Sequence, residues 1–137
     1  KPPQGTTHVV IDTPGGISGW RLKEVILRAD KVIVPVMPSL FDMQATQNFL
    51  LQLVSITQGL PTDVRVIGNR VDARTISASN LRQFVESLDV QVLSYLRDTQ
   101  YYLHMAAHGL SMFDITPSKV AKDLEQWQPI CKWLDQD

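Results

Sequence analysis

Short runs of β-branched and aliphatic residues alternate with helical patterns along this chain, and this alternation constrains its fold more than any other sequence feature. Strands are predicted at residues 7–12, Lys31–Val36, Asp63–Asn69 and Val90–Leu93. Parallel strands joined by right-handed crossover helices are the usual result of such an order. The sequence therefore predicts an α/β fold, a layered and mostly parallel sheet with helices on both faces.

The helices between these strands are predicted from apolar residues three and four positions apart. Their predicted N-caps are Ser18, Asp42, Ser77 or Ser79, Asp98 and Ser118. The first helix is expected to reach Ala29, the second to end near Thr57, and the fourth to close at Gly109. Pro129 is expected to kink or split the last helix, because proline has no N–H and clashes with the preceding turn.

Composition excludes several classes of protein. The 137 residues are 44% hydrophobic and 20% charged, which predicts a single domain over residues 1–137. The net charge is −1, so nucleic-acid binding would need a local basic patch. The one cysteine, Cys131, lies on an apolar helical pattern and is expected to be a buried thiol.

Without a long apolar run or a visible signal peptide, the expected location is the cytoplasm, with no membrane span.

One predicted strand ends in a carboxylate and two glycines, since residues 9–16 read Val-Val-Ile-Asp-Thr-Pro-Gly-Gly. A buried strand would fix Asp12 rigidly, and a Mg²⁺ ion in a nucleotide site would offset its charge. Gly15 and Gly16 would let the backbone approach a γ-phosphate and change its dihedral angles on hydrolysis. The alternative is an aspartate that caps an ordinary turn of an α/β protein.

Further segments extend this pattern along the chain. Residues 29–42 read Ala-Asp-Lys-Val-Ile-Val-Pro-Val-Met-Pro-Ser-Leu-Phe-Asp, and residues 66–72 read Val-Ile-Gly-Asn-Arg-Val-Asp. Residues 9–16 resemble the Walker B and switch II region of ParA/MinD-type deviant-Walker ATPases. Residues 29–42 resemble the fourth-strand signature of that family, and residues 66–72 resemble its base-recognition strand end. Later segments that resemble this family, in the same order, are residues 96–97, 106–114, 117–118 and 121–124.

This resemblance implies a P-loop NTPase-like fold that is incomplete at its N-terminal side, with ATP and Mg²⁺ as cofactors. Asp12 would hold the Mg²⁺ shell directly or through water, and Gly15 and Gly16 would belong to the switch loop that senses the γ-phosphate. Asn69 would bond the adenine edge through its amide, which both donates and accepts. The other residues expected beside the base are Arg70, Pro117 and Ser118. For Asn69 the alternative is a turn-forming residue after a strand.

The chain departs from the family in one respect. The sequence contains neither Gly-x-x-x-x-Gly-Lys-[Ser/Thr] nor the family's Lys-Gly-Gly-x-Gly-Lys-Thr variant. Most phosphate-binding N–H groups and both lysines of that loop are therefore missing, and the chain alone is expected to bind ATP weakly or not at all. The strand that carries the loop is also missing, so a gap or an open edge is expected in the sheet.

The resemblance also implies partners. These are a homodimer formed around ATP, non-specific DNA and a protein that stimulates hydrolysis. Five arginines against three acids occur between residues 65 and 97. Arg74, Arg82 and Arg97 are predicted DNA contacts, with a normal solvated surface as the alternative. The last helix has no basic face for a membrane anchor, which favours the ParA branch.

The leading hypothesis is part of a ParA-like ATPase that partitions or positions DNA or other cargo through ATP-dependent dimerisation. An alternative is a non-enzymatic interaction module that keeps the ParA-like fold without the phosphate loop. A related metabolic P-loop enzyme is disfavoured, because no cluster of charged residues near the switch segment marks a substrate pocket.

Overall fold

A computed structural model describes residues 2–136 and contains a parallel sheet. Its strands are β1 (Lys31–Val36), β2 (Asp63–Val71) and β3 (Val92–Arg97), in the spatial order β1-β2-β3. Lys31 pairs with Asp63 at the start of the ladder between β1 and β2. The predicted α/β fold with a parallel sheet is confirmed.

Five α-helices and two 3-10 turns accompany the described strands. The helices are α1 (Gly19–Ile26), α2 (Leu40–Thr57), α3 (Ile76–Glu86), α4 (Tyr101–Ala107) and α5 (Ala121–Leu134). The 3-10 turns are Met112–Asp114 and Pro117–Lys119. Within the described residues, none of these helices combines the length and the apolar character needed to cross a lipid bilayer.

The helices cover both faces of the sheet, as the sequence predicts. On one face, α1, α2 and α3 bury a cluster that includes Leu22, Leu53 and Leu81. On the other face, Ile130 of α5 packs against Ile67 and Leu96. A parallel sheet with two covered faces needs apolar residues pointing both ways, and β1 and β2 supply them.

Helix capping differs from the sequence prediction at several places. Ser18 is the N-cap of α1 as predicted, although its side chain makes no capping bond. In α2 the cap is Ser39, whose hydroxyl accepts the N–H of Asp42, the residue predicted as the cap. In α3 the cap is Thr75, which accepts the N–H of Ala78, so Ser77 and Ser79 lie inside the helix. Each actual cap lies one residue before its helix, where the hydroxyl reaches an otherwise unbonded N–H.

The remaining caps were also misplaced. The N-cap of α4 is Gln100 rather than Asp98, and that of α5 is Val120 rather than Ser118. Pro129 lies inside α5, which continues through it. The predicted split is wrong because Ile130 and Trp133, both buried, hold the following turn against the sheet.

The strand predicted at residues 7–12 is the main error. The segment is assigned to no strand and pairs with none in the described part of the chain, which has three paired strands rather than four. Val10 is 91% exposed and Val9 is 63% exposed, where a buried strand was expected. Sequence pattern gives a segment its strand propensity, but a strand also needs a neighbour to bond with. No strand lies directly beside this segment.

Candidate functional site

Residues of the 7–13 segment and of β1 line the same cleft. The His8 Nε2 atom lies 3.2 Å from the carbonyl oxygen of Leu134, at the C-terminal end of α5. Lys31 begins β1 and donates from Nζ to the carbonyl oxygens of Trp133 (2.8 Å) and Leu134 (3.1 Å). His8 and the start of β1 therefore lie at the same end of α5.

The switch-like segment after Asp12 is open and exposed. Asp12, Gly15 and Gly16 are all exposed, and the Ile17 N–H donates to the Pro14 carbonyl oxygen at 3.3 Å to close a turn. Gly16 has φ 72°, a left-handed conformation that glycine adopts without strain. A Cβ atom at Gly15 or Gly16 would meet nothing within 4 Å. The turn thus leaves room for a ligand or another segment without forming a closed cradle.

The end of β2 carries the second part of the candidate site. Arg70 has φ 52°, the only positive φ at a non-glycine residue in the described chain. Its N–H donates to the Asn69 Oδ1 atom at 3.1 Å, and its Nε atom lies 3.4 Å from an Asp98 carboxylate oxygen. A left-handed non-glycine residue costs roughly 1–3 kcal/mol and needs support from its surroundings. The half-buried Asn69 is fixed by this bend, and its NH₂ group is not used in the bond to Arg70.

The loop after β2 is held by a half-buried aspartate. Arg74 donates from Nε and Nη2 to the two carboxylate oxygens of Asp72, each at 2.9 Å. This side-chain bonding, with the Arg74 backbone N–H, lowers the pKa of Asp72 to about 2. Thr75 donates to the Asp72 carbonyl oxygen at 2.8 Å while capping α3. The loop is therefore stabilised by its own side chains.

No protein-family model matches the chain, and no match is found among curated proteins or solved structures. The functional argument therefore depends on the chain's own residues.

Four of the five arginines between residues 65 and 97 form ion pairs. The Arg97 guanidinium is bidentate with Asp123, at 2.7 and 2.8 Å, and Asp123 is fully buried. The carboxylate partners of Arg65, Arg70 and Arg74 are Asp63, Asp98 and Asp72. Of the three predicted DNA contacts, Arg74 and Arg97 therefore each have a carboxylate as a local counter-charge. The third is Arg82.

Arg82 is the exposed arginine of this group that lies over an aromatic ring. Its guanidinium carbon is 4.5 Å from the centroid of the Tyr95 ring. That ring also explains a glycine in β2, since a Cβ atom at Gly68 would come within 2.3 Å of the Tyr95 ring. This contact with the ring fixes the position of the Arg82 guanidinium.

Pro117 and Ser118 lie in the exposed 3-10 turn that leads into α5. The turn is anchored by Val120, which is buried with Met105 and Met112 beneath α4. This places both residues on the side of the molecule where α4 and α5 meet. Their predicted position beside a base stays a prediction.

The exposed Asp12 carboxylate is of the kind that Mg²⁺ binds, because this ion is commonly held by one or two carboxylates together with phosphate oxygens and water. Within the described chain, no group of three or more His, Cys, Asp or Glu residues could hold a metal ion. Asp12 would therefore need phosphate oxygens and water as the other ligands. The sequence holds no phosphate loop.

A cleft lies beside β1, in a sheet for which a gap or an open edge was expected. Its volume is about 960 Å³, and its lining includes residues of the 7–13 segment and of β1. The expectation came from the missing strand that carries the phosphate loop in the family that the chain resembles. It did not decide between a gap and an open edge.

Proposed function

We propose that this chain is the base-binding and switch-bearing part of a ParA-like ATPase that partitions or positions DNA or other cargo. One observation carries the proposal. Asn69 and Arg70 lie near the C-terminal end of β2 in a parallel sheet, and the Arg70 N–H donates to the Asn69 Oδ1 atom. Ligands of open α/β sheets bind at the C-terminal ends of the strands.

In this proposal each side chain has a defined task. Asp12 holds the Mg²⁺ shell, and Asn69 offers its NH₂ group and the second lone pair of Oδ1 to the edge of adenine. The glycines of the switch segment supply a backbone that can change conformation. Bound Mg²⁺-ATP would supply the phosphoryl group to be transferred and the positive charge that offsets Asp12. Dimerisation around ATP and release by a partner protein are expected, as is cytoplasmic location.

Non-specific DNA binding is the least supported part of the proposal. Paired arginines attract phosphates less than free ones, so Arg82 is the strongest of the predicted DNA contacts. To bind a DNA phosphate, Arg74 and Arg97 would each have to break a bidentate ion pair with a carboxylate.

The test uses a polypeptide in which this chain is joined to a Gly-rich Lys-Thr loop. Asp12→Ala is expected to abolish Mg²⁺-dependent ATP hydrolysis, while Asp89→Ala, at an exposed position after α3, leaves it unchanged. Asn69→Ala is expected to raise KM for ATP more than it lowers kcat, because it removes binding that is common to ground state and transition state. Unchanged turnover in Asp12→Ala would sink the assignment.

A second candidate is a non-enzymatic interaction module. The open cleft beside β1 favours it, because a polypeptide segment can occupy such a cleft without any nucleotide. A start codon directly before Lys1 in the genomic reading frame would favour this module. A phosphate loop encoded upstream in the same frame would favour the ATPase.

A further inference from the structure

Helix α2 has an exposed face that carries no charge. Between Asp42 and Asp63 the sequence contains no Asp, Glu, Lys or Arg, although Leu51, Val54 and Ser55 of this helix are exposed. The solvent side of a surface helix usually carries charged and polar residues. Depletion of charged residues is instead the compositional mark of the centre of a protein–protein interface. The exposed face of α2 therefore has the composition of a docking surface.

Helix α1 borders this face and adds an exposed tryptophan. A groove of about 450 Å³ lies between the two helices, with Trp20 and Lys23 of α1 on one side and Leu51, Ser55 and Ile56 of α2 on the other. Trp20 is 71% exposed and Leu51 is 67% exposed. Large apolar side chains that are open to water beside one another mark a site of interaction, and tryptophan is enriched among the residues that contribute most to binding.

The cations of α1 give the groove one charged rim. Arg21 and Lys23 are both exposed, and neither forms an ion pair with a residue that the structure describes. Glu24, the one acid in α1, is already paired with Arg28 at 2.9 Å. The Arg21 guanidinium carbon lies 5.5 Å from the centroid of the Trp20 ring, so the charge adjoins the exposed aromatic side chain. The rim on α1 is therefore positive, whereas the face of α2 is neutral.

The length of α1 suits the side of another helix. With 8 residues, α1 is about 12 Å long. Apolar residues at positions i, i+3 or i+4 and i+7 of a second helix span about 10.5 Å, so three of them reach the groove along α1. An extended segment would need the free backbone groups of a sheet edge, and two helices bound this groove. The geometry thus favours a helix laid between α1 and α2.

A second copy of the chain does not complement the charge of the groove. Two-fold contact through the same surface brings that surface against itself. The only acid on α1, Glu24, is already paired, and the exposed face of α2 has none to offer. The positive rim would therefore meet either the rim or the neutral face of the other copy. A partner that supplies carboxylates matches the rim better.

Lipid and nucleic acid match the groove less well than a protein helix does. Recognition of anionic lipid uses clusters of about 4–8 basic residues, and salt-dependent DNA binding uses about 6–10 phosphate contacts. The groove has only Arg21 and Lys23 as cations without a carboxylate partner among the described residues. Its floor is apolar, which suits neither phosphates nor sugars.

The surface area of the whole chain is large enough for such a partner. The accessible surface is 9894 Å² for a chain of 15.4 kDa. A compact monomer of this mass exposes about 7,200 Å². The excess of about 2,700 Å² is larger than the roughly 800 Å² that each partner buries in a standard interface.

We propose that the groove between α1 and α2 docks an acidic amphipathic helix of another protein. The apolar stripe of that helix covers Trp20, Leu51 and Ile56. Asp or Glu residues along one flank of the stripe pair with Arg21 and Lys23. The docking uses none of the residues proposed to bind nucleotide, so it does not depend on the proposed function.

The probe is a synthetic helical peptide of about 18 residues, long enough to be helical in water. It has Leu at positions i, i+4, i+7 and i+11, Glu directly after each Leu, and Ala or Gln elsewhere. Added to the isotope-labelled chain, it is expected to bind saturably, with NMR shift changes concentrated in residues 19–27 and 47–58. A control peptide with Lys in place of each Glu is expected to bind at least tenfold more weakly. No binding, or equal binding of the two peptides, would overturn the proposal.

Charge reversal in the chain tests the rim directly. The double variant Arg21→Glu and Lys23→Glu is expected to lose at least tenfold in affinity for the Glu peptide and to gain affinity for the Lys peptide. Both positions are exposed, so the fold is retained. Lys122→Glu, at an exposed position of α5 that does not line the groove, is the matched control and is expected to bind both peptides as the parent chain does. A double variant with the peptide preference of the parent chain would overturn the proposal.

Two further measurements separate the other occupants. Without peptide, signals of residues 19–27 and 47–58 that move with protein concentration would show that a second copy covers the groove. Broadening of the same signals by phosphatidylserine vesicles, reversed by salt, would show that the surface binds lipid. Either result would overturn the proposal, and signals that respond to neither support a groove that is open to an acidic helix.

Discussion

Arg97 and Arg74 each form a bidentate ion pair, but their carboxylate partners lie in opposite environments. Asp123, the partner of Arg97, has no exposed surface, whereas the Asp72 side chain is 40% exposed and that of Arg74 is 88% exposed. A buried carboxylate that loses its cation keeps the full cost of desolvation, while an exposed one is solvated by water. The two pairs therefore have different importance for stability.

Replacing each arginine by methionine tests this difference. Arg97→Met is expected to lower the free energy of unfolding by about 3 kcal/mol, because it leaves the Asp123 charge buried and unpaired. Arg74→Met, the matched control, is expected to leave it unchanged within the error of the measurement, because water solvates both partners of that pair. Urea unfolding followed by tryptophan fluorescence measures both values. Equal effects of the two substitutions would contradict a structural role for Arg97 and strengthen its assignment as a DNA contact.

At the scale of elements, the N-cap of α3 is Thr75, whereas the sequence predicted Ser77 or Ser79. Thr75 accepts the Ala78 N–H at 3.1 Å, whereas Ser79 is exposed inside the helix. Thr75→Ala is expected to cost about 1 kcal/mol of stability through the lost cap. Ser79→Ala is expected to be neutral or slightly stabilising, since alanine favours the helix interior. Thermal and urea unfolding of both variants checks this, and a larger cost at Ser79 would place the helix start where the sequence predicted it.

How far sequence predicts an element depends on whether its contacts are local. Lys31–Val36 was predicted with its observed bounds, because the apolar run is bounded by polar and proline residues. The last strand was placed at Val90–Leu93, but β3 is Val92–Arg97. Two of its later residues are polar, and they are held in the sheet because Ser94 donates to the Gln126 carbonyl oxygen at 2.6 Å and Arg97 pairs with Asp123. Those partners are about 30 positions away, and no local pattern shows them.

The candidate site likewise has features that local sequence predicts and features that depend on distant residues. The edge of the sheet on which Asn69 and Arg70 lie followed from the alternation of strands and helices. The positive φ of Arg70 and its pairing with Asp98 did not, because they depend on how β2 and β3 meet. Asp12 was predicted to end a buried strand, but the segment before it is exposed and forms no strand.

For the whole molecule, the excess of accessible surface predicts an unusual response to denaturant. The unfolded chain would expose about 22,300 Å², so a compact fold of this mass would bury about 15,100 Å² of it. With 9894 Å² still exposed in the folded state, this chain buries about a fifth less than that. The dependence of the unfolding free energy on urea concentration scales with the surface that unfolding exposes.

The urea m-value of the chain alone is therefore expected to be about a fifth below that of compact single domains of equal length. A compact single domain of about the same length, unfolded under the same conditions, serves as the control. An m-value of ordinary size would mean that the chain buries the surface around β1, by closing its own cleft or by self-association. Repeating the measurement at several protein concentrations decides between these two, since only self-association makes the midpoint depend on concentration.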